Sequence, residues 1–375
     1  MKRIALFSHG GFDLSGEGVY IPFLAGLVER LGRTYDVSIY APGNGPANRD
    51  PLFPGQVRLV PLHVTSASPL FLKTAALWRA ATIDHRRQPF DCVHGIWAIP
   101  SGAIAVAFGK KQRIPSAVSL HGSETASIPE IGYGNMRGEP YRSVTRWTCR
   151  RAGALFCLST HQRESLRMWG ITRNDVVVIP PGAEPKFLVA MPRPCPTSGT
   201  LNILHVANLT EVKDQETLLR AFVTISRSRE SRLRIVGADY LQGRIQRRAG
   251  ELGIASRVEF TGFVPHDAMP RQYSWAHILL QTSLHEAGGV AVAEAGAGRV
   301  VVCGTSTGIV ADFAERCAVT AAPGDDAGLA RAVLDLLSDP ERFMRIQECA
   351  YRWAAENSVD TSARLIAETY ERLPA

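Results

Sequence analysis

Ser283-Leu-His-Glu-Ala-Gly-Gly-Val-Ala-Val-Ala-Glu-Ala295 lies between two runs of different habit. Residues 276–281 before it (Ala-His-Ile-Leu-Leu-Gln) are short and apolar, as a buried parallel strand requires. Residues 290–298 are alanine-rich and suit a helix. The turn between them holds Glu286, Gly288 and Gly289, and Glu294 follows Glu286 by eight residues. At ~1.5 Å per helical residue, eight steps cover roughly 12 Å, about the spread of a sugar ring and a ribose joined by a diphosphate. Glycines let a ligand approach the backbone, and the first N–H groups of a helix attract an anion. Carboxylates at both ends suit hydroxyl groups while the middle suits phosphate, so the stretch fits a nucleotide-sugar site. A turn flanked by surface glutamates is the alternative reading of the same residues.

Strands and helices alternate on both sides of this stretch. Downstream of residue 200, strands are expected at 203–206, 232–236, 258–260, 300–303 and 318–321. Helices are expected at 215–226, 241–252, 267–274, 326–337, 340–355 and 362–373. Within 215–226, Leu218, Leu219, Phe222 and Ile225 share one face. Upstream, strands are expected at 2–8, 35–40, 57–62, 91–97, 116–120 and 154–159, with a last strand and turn over 176–182. The helices there fall at 19–31, 70–87, 100–109, 140–151 and 161–168. The loop over 9–18 carries four glycines between a strand and a helix, a candidate phosphate cradle although its order is not GxGxxG.

Residues 191–200 contain three prolines and few apolar residues, as a linker does. Two runs of alternating strands and helices joined by it predict an α/β protein of two doubly wound, Rossmann-like domains with a cleft between them. The expected division is 1–190, a linker at 191–200, 201–357, and a closing helical segment at 358–375. In such sheets ligands collect at the carboxyl ends of the strands. That places His94, Trp97, His121 and Glu124 among the candidates. A histidine that satisfies loop carbonyls is the alternative for His94 and His121.

Composition narrows the class. Hydrophobic residues make up 45% and charged residues 21% of the 375 positions, as in globular proteins. No apolar run reaches the ~18 residues of a membrane-spanning helix, and Ile4–Phe7 is too short a run for a secretory signal. The seven cysteines are scattered without a CxxC pair, so neither a zinc site nor a disulfide framework is expected, and a reducing cytoplasm fits. Residues 1–190 hold 22 Lys and Arg against 13 Asp and Glu, a net of +9, while the remainder nets −2. A basic first half fits an anionic partner. Nucleic acid is not expected, for no helix-turn-helix, RNP motif or zinc finger is present. Peripheral contact with the anionic inner face of a membrane, or a phosphate-bearing acceptor, accounts for the charge equally well.

Taken in order, these motifs resemble those of the group 4 retaining glycosyltransferases of the GT-B fold. Glu286 through Glu294 resembles that family's E-x7-E signature. Val206-Ala-Asn-Leu-Thr-Glu-Val-Lys-Asp214 resembles its phosphate-binding segment, with Lys213 as the lysine and Asn208 where the family carries arginine. Val178-Ile-Pro-Pro-Gly182, His121-Gly-Ser-Glu124 and Gly16-Glu-Gly-Val19 resemble three of its turns, with Pro181 in place of the usual asparagine. Gly288 stands where an aromatic residue or proline is common, and the last helix resembles the one that crosses back to the first domain.

The resemblance implies a transferase that needs no cofactor and no metal, using a UDP- or GDP-sugar as donor and a saccharide or lipid-linked acceptor. It implies that Lys213, Gly18 and the N–H groups near Gly289 and Val290 hold the diphosphate, with Gly16 and Asn208 among the other donor-binding residues. Glu286 and Gly288 would lie by the donor sugar, Glu294 would bind the ribose, and Phe263 and Val264 would flank the base. His121 would lie by the anomeric centre, with His94, Trp97 and Glu124 as acceptor-side candidates. A sugar-nucleotide epimerase on the same fold, or a non-catalytic nucleotide-sugar-binding protein, are the alternatives.

Overall fold

The computed structural model describes residues 1–10, 21–42, 56–60, 62, 64 and 67–374. They form two compact units, the first from Met1–Leu158, Gln162–Pro180 and Val359–Ala375, the second from Ser159–His161 and Pro181–Ser358.

In the first unit the chain runs β1 (Arg3–Phe7), α1 (Pro22–Leu31), β2 (Asp36–Tyr40), β3 (Val57–Val60), α2 (Leu70–Arg87) and β4 (Cys92–Ile96). It continues through α3 (Ala103–Gln112), β5 (Ser116–Ser119), α4 (Tyr141–Arg151), β6 (Ala154–Cys157), α5 (Thr160–Met168) and β7 (Val176–Val178). The described strands form a parallel sheet in the order β3-β2-β1-β4-β5-β6-β7. The apolar run of β1 is buried along its whole length, as a strand covered on both faces must be. Its one charge, Arg3, is neutralised by Asp36 at 2.9 Å.

The second unit runs β8 (Leu201–Val206), α6 (Gln215–Ser228), β9 (Ser231–Val236), α7 (Arg244–Glu251), β10 (Val258–Gly262), α8 (Met269–Trp275) and β11 (Ile278–Gln281). It closes with α9 (Val290–Ala297), β12 (Val301–Thr305), α10 (Gly308–Phe313), β13 (Val319–Ala321), α11 (Asp326–Leu337) and α12 (Pro340–Glu356). The strand order is β10-β9-β8-β11-β12-β13, again parallel. Alternate residues enter separate cores on the two faces. Leu280 and Cys303 pack with Leu218, Phe222 and Ile225 of α6, whereas Leu279 and Val302 pack with Ala293 of α9 and Ala350 of α12.

The final helix, α13 (Val359–Arg372), belongs to the first unit and packs on α1. The Tyr35 hydroxyl donates to Glu371 at 2.9 Å, and Tyr370 meets His94 in the core.

Several expectations need correction. The first unit ends at Pro180, not at residue 190, because Ala183 and Phe187 pack into the core of the second. The helix expected from residue 100 begins at Ala103, because residues 98–102 form a wider turn with extended Ile99 inside it. The six-residue α10 is too short to show a period in sequence and starts on Gly308. Cys317 and Cys349 form a disulfide, contrary to the expectation of none; 32 residues apart, they meet because both pack into the core that α9 and α12 share. The glycines Gly16 and Gly18 lie outside the described residues.

Candidate active site

In the second sheet the chain order reverses between β8 and β11, and the loops after these strands are where such sheets bind ligands. These are the loops that carry Lys213 and Glu286. They are stitched together by the Leu284 N–H donating to Val212 O at 2.8 Å and the Thr282 hydroxyl donating to Lys213 O at 3.0 Å. Lys213 Nζ thereby lies 2.5 Å from Glu286 Oε1, which also accepts from the Ser283 hydroxyl at 2.7 Å. Burial works to raise the Glu286 pKa, but the Lys213 ammonium and the Ser283 hydroxyl outweigh it and hold the carboxyl below its usual range.

The turn is braced from β12. The Thr305 hydroxyl donates to Ser283 O at 2.6 Å, and the Ile309 N–H to Gly288 O at 2.8 Å. Gly308, at φ +54°, leaves so little room that a Cβ there would stand 2.3 Å from Gly288 O and 2.8 Å from Glu286 Cβ. Sequence reasoning assigned Thr305 and Gly308 no role. The glycine-bounded turn Gly304-Thr-Ser-Thr-Gly308 after a strand was the available signal for a close backbone approach.

Gly289 adopts φ +118°, a value open to glycine, and the helix begins only at Val290. Of the eight steps from Glu286 to Glu294, only the second half is helical, so the helical rise does not measure their separation. The N–H groups of Gly289, Val290 and Ala291 have no acceptor among the described residues, leaving donors beside Lys213's partner at a helix start.

Glu294 is buried. Its Oε1 lies 2.8 Å from His266 Nε2 and its Oε2 accepts from the Tyr273 hydroxyl at 2.7 Å. Neither partner was singled out from sequence, since a lone histidine and tyrosine after a proline carry no pattern. Phe263 is 72% exposed, while Val264 lies against the α9 core. Asn208 cannot supply the charge of an arginine, and its Oδ1 accepts from the Ala238 N–H at 3.0 Å.

The first unit holds the other candidates. Trp97 follows β4 at φ 66°, ψ 147°, a region that side chains other than hydrogen enter only under strain. Its ring centroid lies 5.9 Å from that of His121, which follows β5. The His121 Nε2 is buried with no hydrogen-bond partner among the described residues, and burial pushes its pKa down to about 4, so the ring is neutral.

Two acceptor-side expectations are corrected. His94 does not open to a ligand: it lies inside β4, its Nδ1 2.5 Å from the Tyr370 hydroxyl and its Nε2 2.7 Å from the Ser119 hydroxyl. Burial, then the neighbouring His121, lowers its pKa to about 3. Glu124 is likewise turned inward. Its carboxylate accepts the N–H groups of Ala98, His121 and Gly122 at 3.2, 3.3 and 2.7 Å, so it shapes the loop that presents His121. Among the described residues, no His, Cys, Asp and Glu cluster could hold a metal ion, and no helix is long and apolar enough to cross a membrane.

Residues 17–182 match the family profile of the glycosyl transferase 4-like domain, and residues 197–353 that of glycosyl transferases group 1. The chain belongs to the group 1 glycosyltransferases. Among relatives of this glycosyltransferase, the 2-deoxystreptamine glucosyltransferase of Streptomyces kanamyceticus is 25% identical over 321 residues, covering 79% of this chain and 82% of that one. The GDP-mannose-dependent alpha-(1-6)-phosphatidylinositol monomannoside mannosyltransferase of Mycolicibacterium smegmatis is 30% identical over 165 residues, 41% of this chain and 43% of its own. The fold of this glycosyltransferase is shared by sucrose-phosphate synthase from Thermosynechococcus elongatus, with TM-score 0.82, 20% identity and coverage of 100% and 99% of the two chains. It is shared also by HepE of Anabaena, solved with UDP and glucose, with TM-score 0.76, 17% identity and full coverage of both chains. The two doubly wound domains are therefore those of the GT-B architecture.

Proposed function

We propose that this glycosyltransferase moves a hexose from a UDP- or GDP-sugar to a saccharide or lipid-linked acceptor with retention at the anomeric carbon, in cell-surface polysaccharide or glycoconjugate synthesis. The observation that carries this reading is the Lys213–Glu286 pair beside the open N–H groups at the start of α9. An ammonium and helix-start amides stabilise a departing diphosphate by charge-assisted hydrogen bonds, the task a metal ion performs elsewhere. Glu286 takes the donor sugar hydroxyls, Glu294 the ribose, and exposed Phe263 with Val264 the base. The neutral His121, whose buried Nε2 has no partner among the described residues, stands by the anomeric carbon. In the step, the bond from the anomeric carbon to the diphosphate breaks as the acceptor oxygen bonds on the same face. A donor phosphate oxygen takes the acceptor proton, and nucleoside diphosphate leaves. What the protein supplies is alignment and charge, which contribute several kcal/mol on effective-molarity arguments. The relative named for GDP-mannose dependence and the UDP-bound neighbour support the donor class.

The test offers UDP-glucose, UDP-N-acetylglucosamine and GDP-mannose with a panel of saccharide and lipid-linked acceptors, with and without EDTA. Release of nucleoside diphosphate that survives EDTA, and a product with the donor's anomeric configuration, are expected. No release from any donor would remove the reading; inversion or loss in EDTA would remove that part of it.

We propose further that the protein works at the cytoplasmic face of a membrane. The first turn of α2 exposes Leu70, Phe71 and Leu72, and its last turn carries Arg86 and Arg87, on a half of the chain that nets +9. Sedimentation with phosphatidylglycerol vesicles at low salt is expected; a protein left in the supernatant refutes the contact.

A further inference from the structure

Glu294 is gripped at both oxygens, and the grip is organised from outside α9. His266 approaches Oε1 at 2.8 Å and the Tyr273 hydroxyl approaches Oε2 at 2.7 Å, so neither oxygen is left to turn freely. Tyr273 is itself fully buried. On the far side of the imidazole, Lys186 Nζ lies 3.1 Å from His266 Nδ1, and the same ammonium pairs with Asp267 at 2.7 Å. An ammonium has only hydrogens to give, so Nδ1 must accept and the ring proton must sit on Nε2, facing the carboxylate. Phe187 clamps the arrangement, its ring 5.1 Å from that of His266 and 5.7 Å, edge-on, from that of Tyr273.

An ionised carboxylate offers about four acceptor positions, two on each oxygen. One on each is taken, and one on each remains. Two remaining positions on one fixed plane match a pair of adjacent hydroxyl groups.

We propose that His266 is a positioning residue that, with Tyr273, locks the Glu294 carboxylate in the rotation that accepts both ribose hydroxyls of the donor nucleotide. The inference rests on the reading of Glu294 as the ribose ligand. With His266 gone, one oxygen loses its donor, the carboxylate turns about its last bond, and each binding event must order it again.

The experiment titrates the full-length protein by calorimetry with UDP and GDP, and then with the 2′,3′-dideoxy form of whichever binds more tightly. His266→Ala is expected to weaken the nucleotide about tenfold. The dideoxy form should bind wild type and His266→Ala alike, because it has no hydroxyl for Glu294 to hold. His266→Gln, whose amide restores an N–H donor, is expected to recover most of the loss. Lys186→Met, which removes the group that fixes the ring proton, should fall between wild type and His266→Ala. These two variants carry the test if the alanine variant fails to fold. Equal weakening of both ligands, or no weakening of either, overturns the positioning role while leaving the donor reading in place. Wild type that binds the two ligands equally removes the ribose role of Glu294 and this inference with it. Wild type that binds neither nucleotide removes the donor reading itself.

Discussion

Lys213 Nζ and Glu286 Oε1 lie 2.5 Å apart, although the two residues come from different loops and are 73 positions apart in the chain. Each is partly buried, so each is the other's main source of charge compensation. Lys213→Ala is therefore expected to do two things. Turnover should fall about a hundredfold or more, through loss of charge at the diphosphate. Stability should fall by about 1–3 kcal/mol, because Glu286 keeps its burial and loses its partner. Steady-state rates and a urea unfolding curve read the two effects separately. Unchanged turnover would take Lys213 out of the site.

Gly308 tests whether the brace from β12 sets the turn that carries Glu286. A Cβ at this residue would stand 2.3 Å from a backbone oxygen and 2.8 Å from Glu286 Cβ, at a φ of +54° that alanine resists. Gly308→Ala is expected to destabilise the protein by about 1–3 kcal/mol and to displace Glu286. Activity should fall further than stability alone explains, measured at a temperature where the variant is still folded. A fully active Gly308→Ala variant would show that the turn tolerates movement.

Glu124 lends itself to a different kind of test, since its carboxylate binds three backbone N–H groups and no ligand is needed to explain it. Glu124→Ala strands those donors and is expected to lower stability by about 3 kcal/mol. Because the same N–H groups shape the turn at His121, transfer should fall while binding of UDP or GDP stays as in wild type. Calorimetric binding of UDP or GDP beside transfer assays separates the two; parallel losses would contradict a loop-shaping role.

Acid should destabilise the first domain in a definite window. Burial lowers the pKa of His94 to about 3 and that of His121 to about 4, both below the ordinary 6.5. The unfolded chain therefore takes up protons before the folded one does as pH falls. Stability from keeping both rings neutral is complete above 6.5 and is lost progressively toward pH 3 to 4. Thermal unfolding between pH 7.5 and 4.5 is expected to show a falling melting temperature, with a shallower slope in His94→Gln. An identical slope in that variant would place the sensitivity elsewhere.

The architecture was legible because it is written in local pattern. The apolar run that became β11, the alanine-rich run that became α9, and the four apolar residues on one face of α6 each report a buried surface through spacing alone. Glu286 and Lys213 were legible as motif residues, and the geometry adds that they pair. What could not be read was whatever depends on contacts between distant segments. His94 looked available at a strand end until Tyr370, 276 residues later, was seen against it. Glu124 looked like an acceptor-side acid until its three backbone partners appeared. His266 and Tyr273 had no pattern to announce them, because their meaning comes from Glu294 and not from their own neighbours in the chain.

Membership of α13 in the first domain has a bearing on biosynthesis. When the ribosome has made β1 through β7, that sheet still lacks Tyr370 against His94 and the Glu371 carboxylate against Tyr35. The entire second sheet is synthesised in the interval. The half that emerges first is thus completed last, and until then His94 lacks the Tyr370 hydroxyl that it meets in the finished fold. A nascent chain stalled near residue 358 should carry a complete second sheet and a first unit that still lacks its closing helix.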